Sequence, residues 1–378
     1  MRMSSRSASA VPKYDGRIIE RFYVDLSYLR SSTTGVAVYA TQLARYLEER
    51  FECRILAPPQ FVDAFSRAVA VPEPWHFHNA TFGRAPFGRV GQRVRFGRRT
   101  FVYAPHMRPL LSAANQAVTI HDLIHHHYPT RNFVENTFNN TVLPRLLRRL
   151  SAIFTVSQTS KRALCELYGL PPERVKVVPN GIDLAQWRPS GRSPASDPPY
   201  LLVVSANRPY KNTVELLEHH RLWAGRYRLI IVSTRGRYGG VVRDSIRALG
   251  LEHVVDLRDD LTEPELIRLY QDCTAAVYPS LIEGFGRPAL EAMAVGRPVI
   301  LSDIPVHQEN FGEAAIFVTP GAPQTWARAF TSLADERRTG EACRRGLGVA
   351  RGLTWEESES RLVEALLEIA PGLAALSR

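Results

Sequence analysis

The chain has 378 residues, 45% of them hydrophobic and 22% charged, with a formal net charge of +11. That length exceeds what one hydrophobic core usually supports, so two domains are expected, and no apolar run approaches the roughly 18–20 residues of a membrane-spanning helix. The charge is uneven: residues 1–190 hold 26 Lys and Arg against 13 Asp and Glu, residues 191–378 hold 22 against 24, so the first half is the one expected to meet an anionic partner.

Met1–Lys13 is Ser- and Ala-rich and lacks the apolar block of a secretory signal; residues 1–15 are expected to be disordered. Strands are predicted over Ile18–Val24, Cys53–Ala57, Phe101–Ala104, Ala117–Ile120, Ala152–Val156 and Val175–Val178. Helices are predicted over Val36–Glu49, Phe133–Leu150 and Gln158–Tyr168, the last capped by Ser157. Pro- and Ser-rich residues 188–199 read as a linker between an N-terminal domain, 1–187, and a C-terminal domain, 200–354. The second half repeats the pattern, with strands over Leu201–Ser205, Arg228–Ser233, Val254–Leu257, Ala275–Tyr278, Val299–Leu301 and Ile316–Val318. Its helices include Asn212–Trp223, Glu263–Asp272, with a Thr262/Glu265 capping box, and Pro288–Val295. A final helix, Trp355–Ile369, lies in a C-terminal segment, 355–378, expected to pack back on the first domain. Strands alternating with helices predict α/β architecture: two doubly wound, Rossmann-like domains with parallel sheets, whose ligands bind in a cleft at the strands' carboxyl ends.

Cys53, Cys165, Cys273 and Cys343 are far apart, which excludes a disulfide framework and a Cys-based metal site. His125, His126 and His127 are consecutive and point in different directions, which is wrong for zinc. Neither a GxGxxG fingerprint nor an Asp-x-Asp metal motif occurs, Asp259-Asp260 being the nearest approach. A dehydrogenase is therefore disfavoured, and no cofactor or metal is expected.

The chemistry concentrates after the strand Ala275–Tyr278. Glu283 and Glu291 bracket Gly-Phe-Gly-Arg-Pro-Ala-Leu, and the turn Gly284-Phe285-Gly286 opens a helix whose N–H groups and dipole favour a diphosphate. Glu291, lying in that helix, can accept hydrogen bonds from vicinal hydroxyls. Arg208 and Lys211 follow the first strand of the second domain, where two cations suit a leaving diphosphate. His121 ends another strand, in Thr-Ile-His-Asp-Leu, where an imidazole can hydrogen-bond a ligand hydroxyl or polarise a reacting centre. Gly35 occupies the turn between the first strand and first helix.

The stretch Tyr278-Pro-Ser-Leu-Ile-Glu-Gly-Phe-Gly-Arg-Pro-Ala-Leu-Glu-Ala-Met-Ala-Val-Gly-Arg-Pro-Val-Ile300 resembles the donor-site signature of the retaining glycosyltransferase family four, with supporting likeness in 260–270, 302–315, Ala206–Asn212, His121-Asp122 and Asn180-Gly181. The resemblance implies the GT-B fold and transfer of a hexose, with retention, from a nucleotide-diphosphate sugar. It gives Glu283 the donor hexose, Glu291 the ribose, and Gly35, Arg208, Lys211, Gly284, Phe285 and Gly286 the rest of the donor site, with His121, Glu283, Lys211 and Arg208 at the reacting centre. Lys211 stands in register with the family's Pro-Arg-Lys-Asn loop, whereas Tyr210 replaces a frequent arginine. Overall likeness to bacterial mannosyltransferases of polysaccharide assembly points to GDP-mannose, with UDP-glucose or another UDP-hexose as the alternative and a glycan or polyprenyl-diphosphate-linked acceptor. A non-catalytic nucleotide-binding scaffold is the reading from another class. Against it, nucleotide binding alone does not call for Glu283, Glu291, Lys211 and His121 together.

Acceptor specificity is expected in the basic half, at Ser157 and an arginine–aromatic stretch containing Arg93, Arg95, Arg98 and Arg99. Cations among bulky apolar residues suit anionic lipid headgroups. No RRM, KH or helix-turn-helix pattern accompanies them, so nucleic acid is not expected. A cytoplasmic protein, peripheral on the inner face of the cytoplasmic membrane, follows as the expectation.

Overall fold

A computed structural model of the chain describes residues 18–31, 34–71, 96–110, 113, 115–129, 133–191 and 198–378. The predicted disordered start, most of the arginine–aromatic stretch (Arg93 and Arg95 included) and the middle of the predicted linker lie outside them.

The chain divides into two compact units: one takes residues up to Val156, Ser160–Val178 and Glu359–Arg378, the other Ser157–Thr159 and Pro179–Ser358. The first is built on seven strands, β1 (Arg21–Asp25), β2 (Cys53–Ala57), β3 (Ala68–Ala70), β4 (Thr100–Ala104), β5 (Asn115–Thr119), β6 (Ala152–Thr155) and β7 (Val175–Val177), in the order β3-β2-β1-β4-β5-β6-β7. The second has β8 (Tyr200–Val204), β9 (Arg228–Val232), β10 (Val255–Arg258), β11 (Ala275–Tyr278), β12 (Val299–Ser302) and β13 (Ile316–Val318), in the order β10-β9-β8-β11-β12-β13. Every pairing is parallel. β4, β6, β8, β11 and β12 are buried along their whole length, as strands covered on both faces by helices must be, and this explains their unbroken apolar runs. The two-unit, parallel α/β architecture read from the sequence is thus present.

In each sheet the strand order reverses once, between β1 and β4 in the first and between β8 and β11 in the second. Crossovers on either side of such a point leave to opposite faces and open a crevice at the strands' carboxyl ends. The first unit's core gathers Val118, Ile153, Leu143, Leu147, Leu164 and Tyr168. The second packs Leu229, Ile231, Val277 and Leu333 around Trp223 and Trp326, whose indole N–H groups donate to the Leu216 carbonyl and to Glu215 Oε1, each at 2.9 Å.

The helices Gln158–Tyr168, Glu263–Asp272 and Trp355–Ile369 fall where predicted, and Thr262 and Glu265 close their capping box, the Thr262 N–H reaching Glu265 Oε2 at 2.8 Å. Three predictions need correction. Phe133–Leu150 is not one helix: a π-helical turn, Phe138–Val142, separates Phe133–Thr137 from Leu143–Leu147. Arg108 draws that turn inward, donating to Asn139 Oδ1 at 3.0 Å with its guanidinium 4.8 Å from the Phe138 ring centroid, and Pro144 starts the last piece with no N–H to give. The predicted helix Asn212–Trp223 runs only over Thr213–Glu218, because Asn212 is left-handed at φ 55° and Trp223 folds back onto Leu216. The edge strand β3, three residues long, was not predicted.

Asn180-Gly181 joins the two ends of the second unit: Ile182 bridges Thr354, and a Cβ on Gly181 would lie 2.4–2.6 Å from the backbone of Thr354 and Trp355. Backbone atoms cannot step aside cheaply, so Gly181→Ala is expected to destabilise the second unit by about 2 kcal/mol or more. Urea unfolding with an unchanged midpoint would contradict this.

Candidate active site

In the second unit the reversal lies between β8 and β11, and the loops that leave these two strands carry Lys211 and Glu283. Their approach follows from the backbone: the Leu281 N–H donates to the Tyr210 carbonyl at 2.7 Å, stitching one loop to the other. Lys211 Nζ then meets Glu283 Oε1 at 2.6 Å, and both side chains are only 12–13% exposed. Ser280 Oγ donates to the same oxygen at 2.8 Å. Burial alone pushes the Glu283 carboxyl up, but Lys211, His307 and the hydrogen bonds from Lys211 and Ser280 outweigh it and hold the group below the usual carboxylate range. Glu283 is therefore ionised at neutral pH. Arg208, which opens the same loop, is exposed and has no ion-pair partner among the described residues.

Gly286 caps the helix Arg287–Ala294 at φ 93°, and a Cβ there would meet Phe311 Cε2 at 2.8 Å and the His307 ring at 3.2–3.3 Å. Conformation and space both require glycine. Phe285 is buried, with its carbonyl accepting from Asn310 Nδ2 at 2.8 Å. His307, to which the sequence reading gave no role although it lies within the 302–315 likeness, is thus a wall of the site, on the helix Pro305–Phe311 after β12.

One turn into the helix Arg287–Ala294, Glu291 is 7% exposed. Arg287 Nε donates to its Oε1 at 2.9 Å and the Tyr270 hydroxyl to its Oε2 at 3.1 Å. Tyr270 also lies 2.8 Å from the Tyr278 hydroxyl and stacks edge-on against Trp187. Burial raises the Glu291 carboxyl above its ordinary value, against the opposing pull of Arg287 and Tyr270. Glu283 and Glu291 thus start eight residues apart and end in opposite electrostatic situations. Asp259 accepts from the Thr234 N–H and hydroxyl at 2.7 and 3.1 Å, and Asp260 pairs with Arg235, so both carboxylates are already matched by protein donors.

The first unit holds His121 and Gly35. Gly35 begins the helix Gly35–Arg50 after β1, with Thr34 as its cap. His121 follows β5; its Nε2 lies 3.2 Å from the Pro105 carbonyl, and Tyr39 meets its ring edge-on, centroids 4.7 Å apart. Burial drives the His121 imidazole down to about 4, with His106 adding to the effect and the Pro105 hydrogen bond opposing it, so the ring is neutral at physiological pH. At the strand reversal, Asp25 Oδ2 and His106 Nε2 face each other at 3.7 Å, both buried and without a hydrogen bond among the described residues. Ser157, buried, follows β6. His125 and His126 both lie near the Tyr168 hydroxyl, at 3.4 and 2.7 Å. Arg98 and Arg99 are elsewhere: they precede β4, where the Arg99 carbonyl takes the N–H groups of Glu20 and Arg21. They stand at the amino edge of the sheet whose carboxyl edge carries His121, roughly 17 Å away along a five-residue strand.

The family description Glycosyltransferase Family 4 matches residues 33–186, and Glycosyl transferases group 1 matches residues 187–346. O-antigen chain mannosyltransferase RfbU of Salmonella typhimurium is 32% identical over 241 residues, covering 64% of this chain and 66% of that protein. D-inositol 3-phosphate glycosyltransferase of Thermobispora bispora is 31% identical, covering 56% and 54%. The chain thus spans about half to two thirds of these relatives' length. Among solved structures, Anabaena HepE in complex with UDP and glucose superposes with a TM-score of 0.75 at 18% identity, covering 93% of this chain and 99% of that one. Sucrose-phosphate synthase of Thermosynechococcus elongatus gives 0.73 at 17%, covering 92% and 98%. These structures share the GT-B fold.

The Lys211–Glu283 pair yields a test with a defined sign. A depressed folded-state carboxyl contributes stability that is present above its unfolded value and lost as pH falls through the folded one. Lys211→Met leaves a buried carboxylate without its cation and is expected to cost about 3 kcal/mol at pH 7. The loss should shrink toward about pH 4.5, where Glu283 can take up a proton instead, and Lys211→Met with Glu283→Gln should recover much of it. Urea unfolding at both pH values checks this; equal losses at the two would refute it.

Proposed function

The chain belongs to glycosyltransferase family 4, and from that membership we propose that it transfers a hexose, with retention, from a nucleotide-diphosphate sugar to a glycan hydroxyl. The observation that carries the proposal is the buried Lys211–Glu283 pair at the strand reversal of the second unit, beside the glycine turn of the helix Arg287–Ala294. An ionised Glu283 accepts hydrogen bonds from hexose hydroxyls, and Glu291 serves the ribose. Lys211, Arg208 and the helix dipole offset charge growing on the diphosphate as its bond to the anomeric carbon breaks. The acceptor oxygen bonds that carbon from the same face, and its proton leaves on the departing diphosphate. Neutral His121 provides a hydrogen bond to a sugar hydroxyl, and Gly35 lets the backbone approach the donor closely. These cations make a divalent metal unnecessary in this scheme, and no cofactor takes part.

GDP-mannose is the proposed donor and a lipid-linked oligosaccharide of bacterial surface polysaccharide the proposed acceptor, supported by the likeness to O-antigen mannosyltransferases of Salmonella typhimurium and Escherichia coli. A UDP-hexose is the second reading, since HepE, which shares the fold, was solved with UDP-glucose. GDP-mannose, UDP-glucose and UDP-galactose should be compared for thermal stabilisation and slow donor hydrolysis. Stabilisation by GDP-mannose alone, lost in Glu283→Ala, is the expected result, and a response to a UDP-sugar would replace mannose. Silence with every donor, together with an unaffected Glu291→Ala variant, would remove the transferase reading.

Peripheral attachment to the cytoplasmic face of the membrane completes the proposal. It is supported by the basic first half and by exposed Arg98 and Arg99; among the described residues no helix is long and apolar enough to cross a membrane. Sedimentation with anionic liposomes at low salt should carry the protein down and high salt should release it. Protein that stays in the supernatant at low salt contradicts attachment.

A further inference from the structure

His307 is 1% exposed. Its Nδ1 is 3.0 Å from the Ser302 carbonyl, an acceptor, so the Nδ1 proton is fixed there. Nε2 is left as a buried lone pair with no hydrogen-bond partner among the described residues. The ring lies against Gly286, with its Cδ2 and Nε2 3.2 and 3.3 Å from the place a Cβ would take, so the unpaired atom is pressed on the turn that opens the donor-loop helix. Two charged groups act on it, Glu283 from the loop after β11 and Lys211 from the loop after β8. Burial and Lys211 hold the ring neutral, while Glu283 and the Ser302 carbonyl favour the cation. Gly286, Phe311 and Ser302, which lie against the ring, carry no charge.

A diphosphate at Lys211 changes that balance, because its negative charge offsets the ammonium that disfavours the imidazolium. We propose that His307 binds a proton together with the diphosphate end of the nucleotide, so that ligand capture and charging of a buried imidazole are one event. The inference rests on the donor-site reading given above and adds a residue to it. On protonation Nε2 becomes a donor, and the orphaned atom gains its function in the ligand-bound state. His307 then acts as a positioning residue: its charge is matched by Glu283 and by the diphosphate together, and neither alone suffices.

The test is titration calorimetry of the full chain with GDP and with UDP, between about pH 6.5 and 8, in HEPES and in Tris, whose ionisation heats differ. Nucleotide phosphates release protons on binding cations, so net uptake identifies a group on the protein. Wild type is expected to take up roughly half a proton or more at the pH of maximum effect. His307→Gln, and His307→Asn, which keeps a donor toward Ser302, should bind the nucleotide with that uptake abolished. Buffer-independent heats in wild type overturn the proposal; they are also what an imidazole that merely accepts a sugar hydroxyl would give. Uptake retained in both variants overturns it as well. Should neither nucleotide nor any donor sugar bind, the donor-site reading fails, and the role of His307 with it.

Discussion

A carboxylate withdrawn from water must find a cation within hydrogen-bonding reach, and that requirement at Glu283 organises the second unit's functional edge. The strand reversal between β8 and β11 brings two loops of distant sequence to one crevice. Residues 72 apart then meet as an ion pair, with the Tyr210–Leu281 backbone bond as the stitch beside it. From Glu283 the hydrogen bonds continue through Ser280, whose carbonyl accepts from Ser302 Oγ, and the Ser302 carbonyl in turn accepts from His307 Nδ1. Removing any charge from this chain alters the field on the others. The site is a coupled group resting on three strand ends, and the strain around it is consistent with that. Ser205, Ser233 and Asp260, which follow β8, β9 and β10, are all left-handed without being glycine, each at a cost of order 1 kcal/mol.

The first unit repeats the topology with different electrostatics. At its strand reversal stand a carboxylate, Asp25, and an imidazole that burial keeps neutral, His106. The nearby guanidinium of Arg108 is already committed, to Glu135 at 2.9 Å and to Asn139. In the second unit Lys211 is likewise committed, to Glu283, whereas Arg208 has no ion-pair partner among the described residues. One fold used twice therefore carries a carboxylate facing an imidazole at one strand reversal and a lysine–glutamate ion pair at the other, and the difference lies in the residues that follow the strands.

Much of this was legible in the sequence for a physical reason: a strand buried on both faces must be apolar throughout, so β11 could be bounded to the residue. Glu283, Lys211 and the glycine turn were legible because chemistry and backbone conformation both restrict what can stand there. What escaped notice depends on contacts between distant residues. The π turn at Phe138–Val142 exists because Arg108 reaches Asn139, and no local propensity reports that. β3 is too short to carry an alternation, and Thr213–Glu218 ends early because Trp223 bonds back to Leu216. Arg98 and Arg99 look, in one dimension, continuous with residues associated with His121. The strand that follows them carries the chain the length of the sheet before His121 is reached, so adjacency in composition became opposition in space. His307 was invisible because a lone histidine in a short mixed helix reads as core or surface, and only its packing on Gly286 marks it.

Glu291 sharpens what a signature carboxylate can do. Arg287 and Tyr270 each occupy one of its oxygens, and a carboxylate has about four lone-pair sites, so about two remain for a ligand. The inner partners fix the orientation of the group and counter the burial that would otherwise favour its protonated form. Glu283 meets its cation, Lys211, at 2.6 Å and accepts from Ser280 on the same oxygen, and there these partners outweigh burial. A carboxylate held by an arginine and a phenol presents a softer, partly neutralised acceptor, suited to neutral vicinal hydroxyls. One held against a lysine that also faces a diphosphate must surrender part of that interaction when the phosphate arrives. On the proposed donor-site reading, ligand binding therefore perturbs Glu283 far more than Glu291: the first would belong to the part of the site where charge moves, and the second to the part that would fix the nucleotide in place.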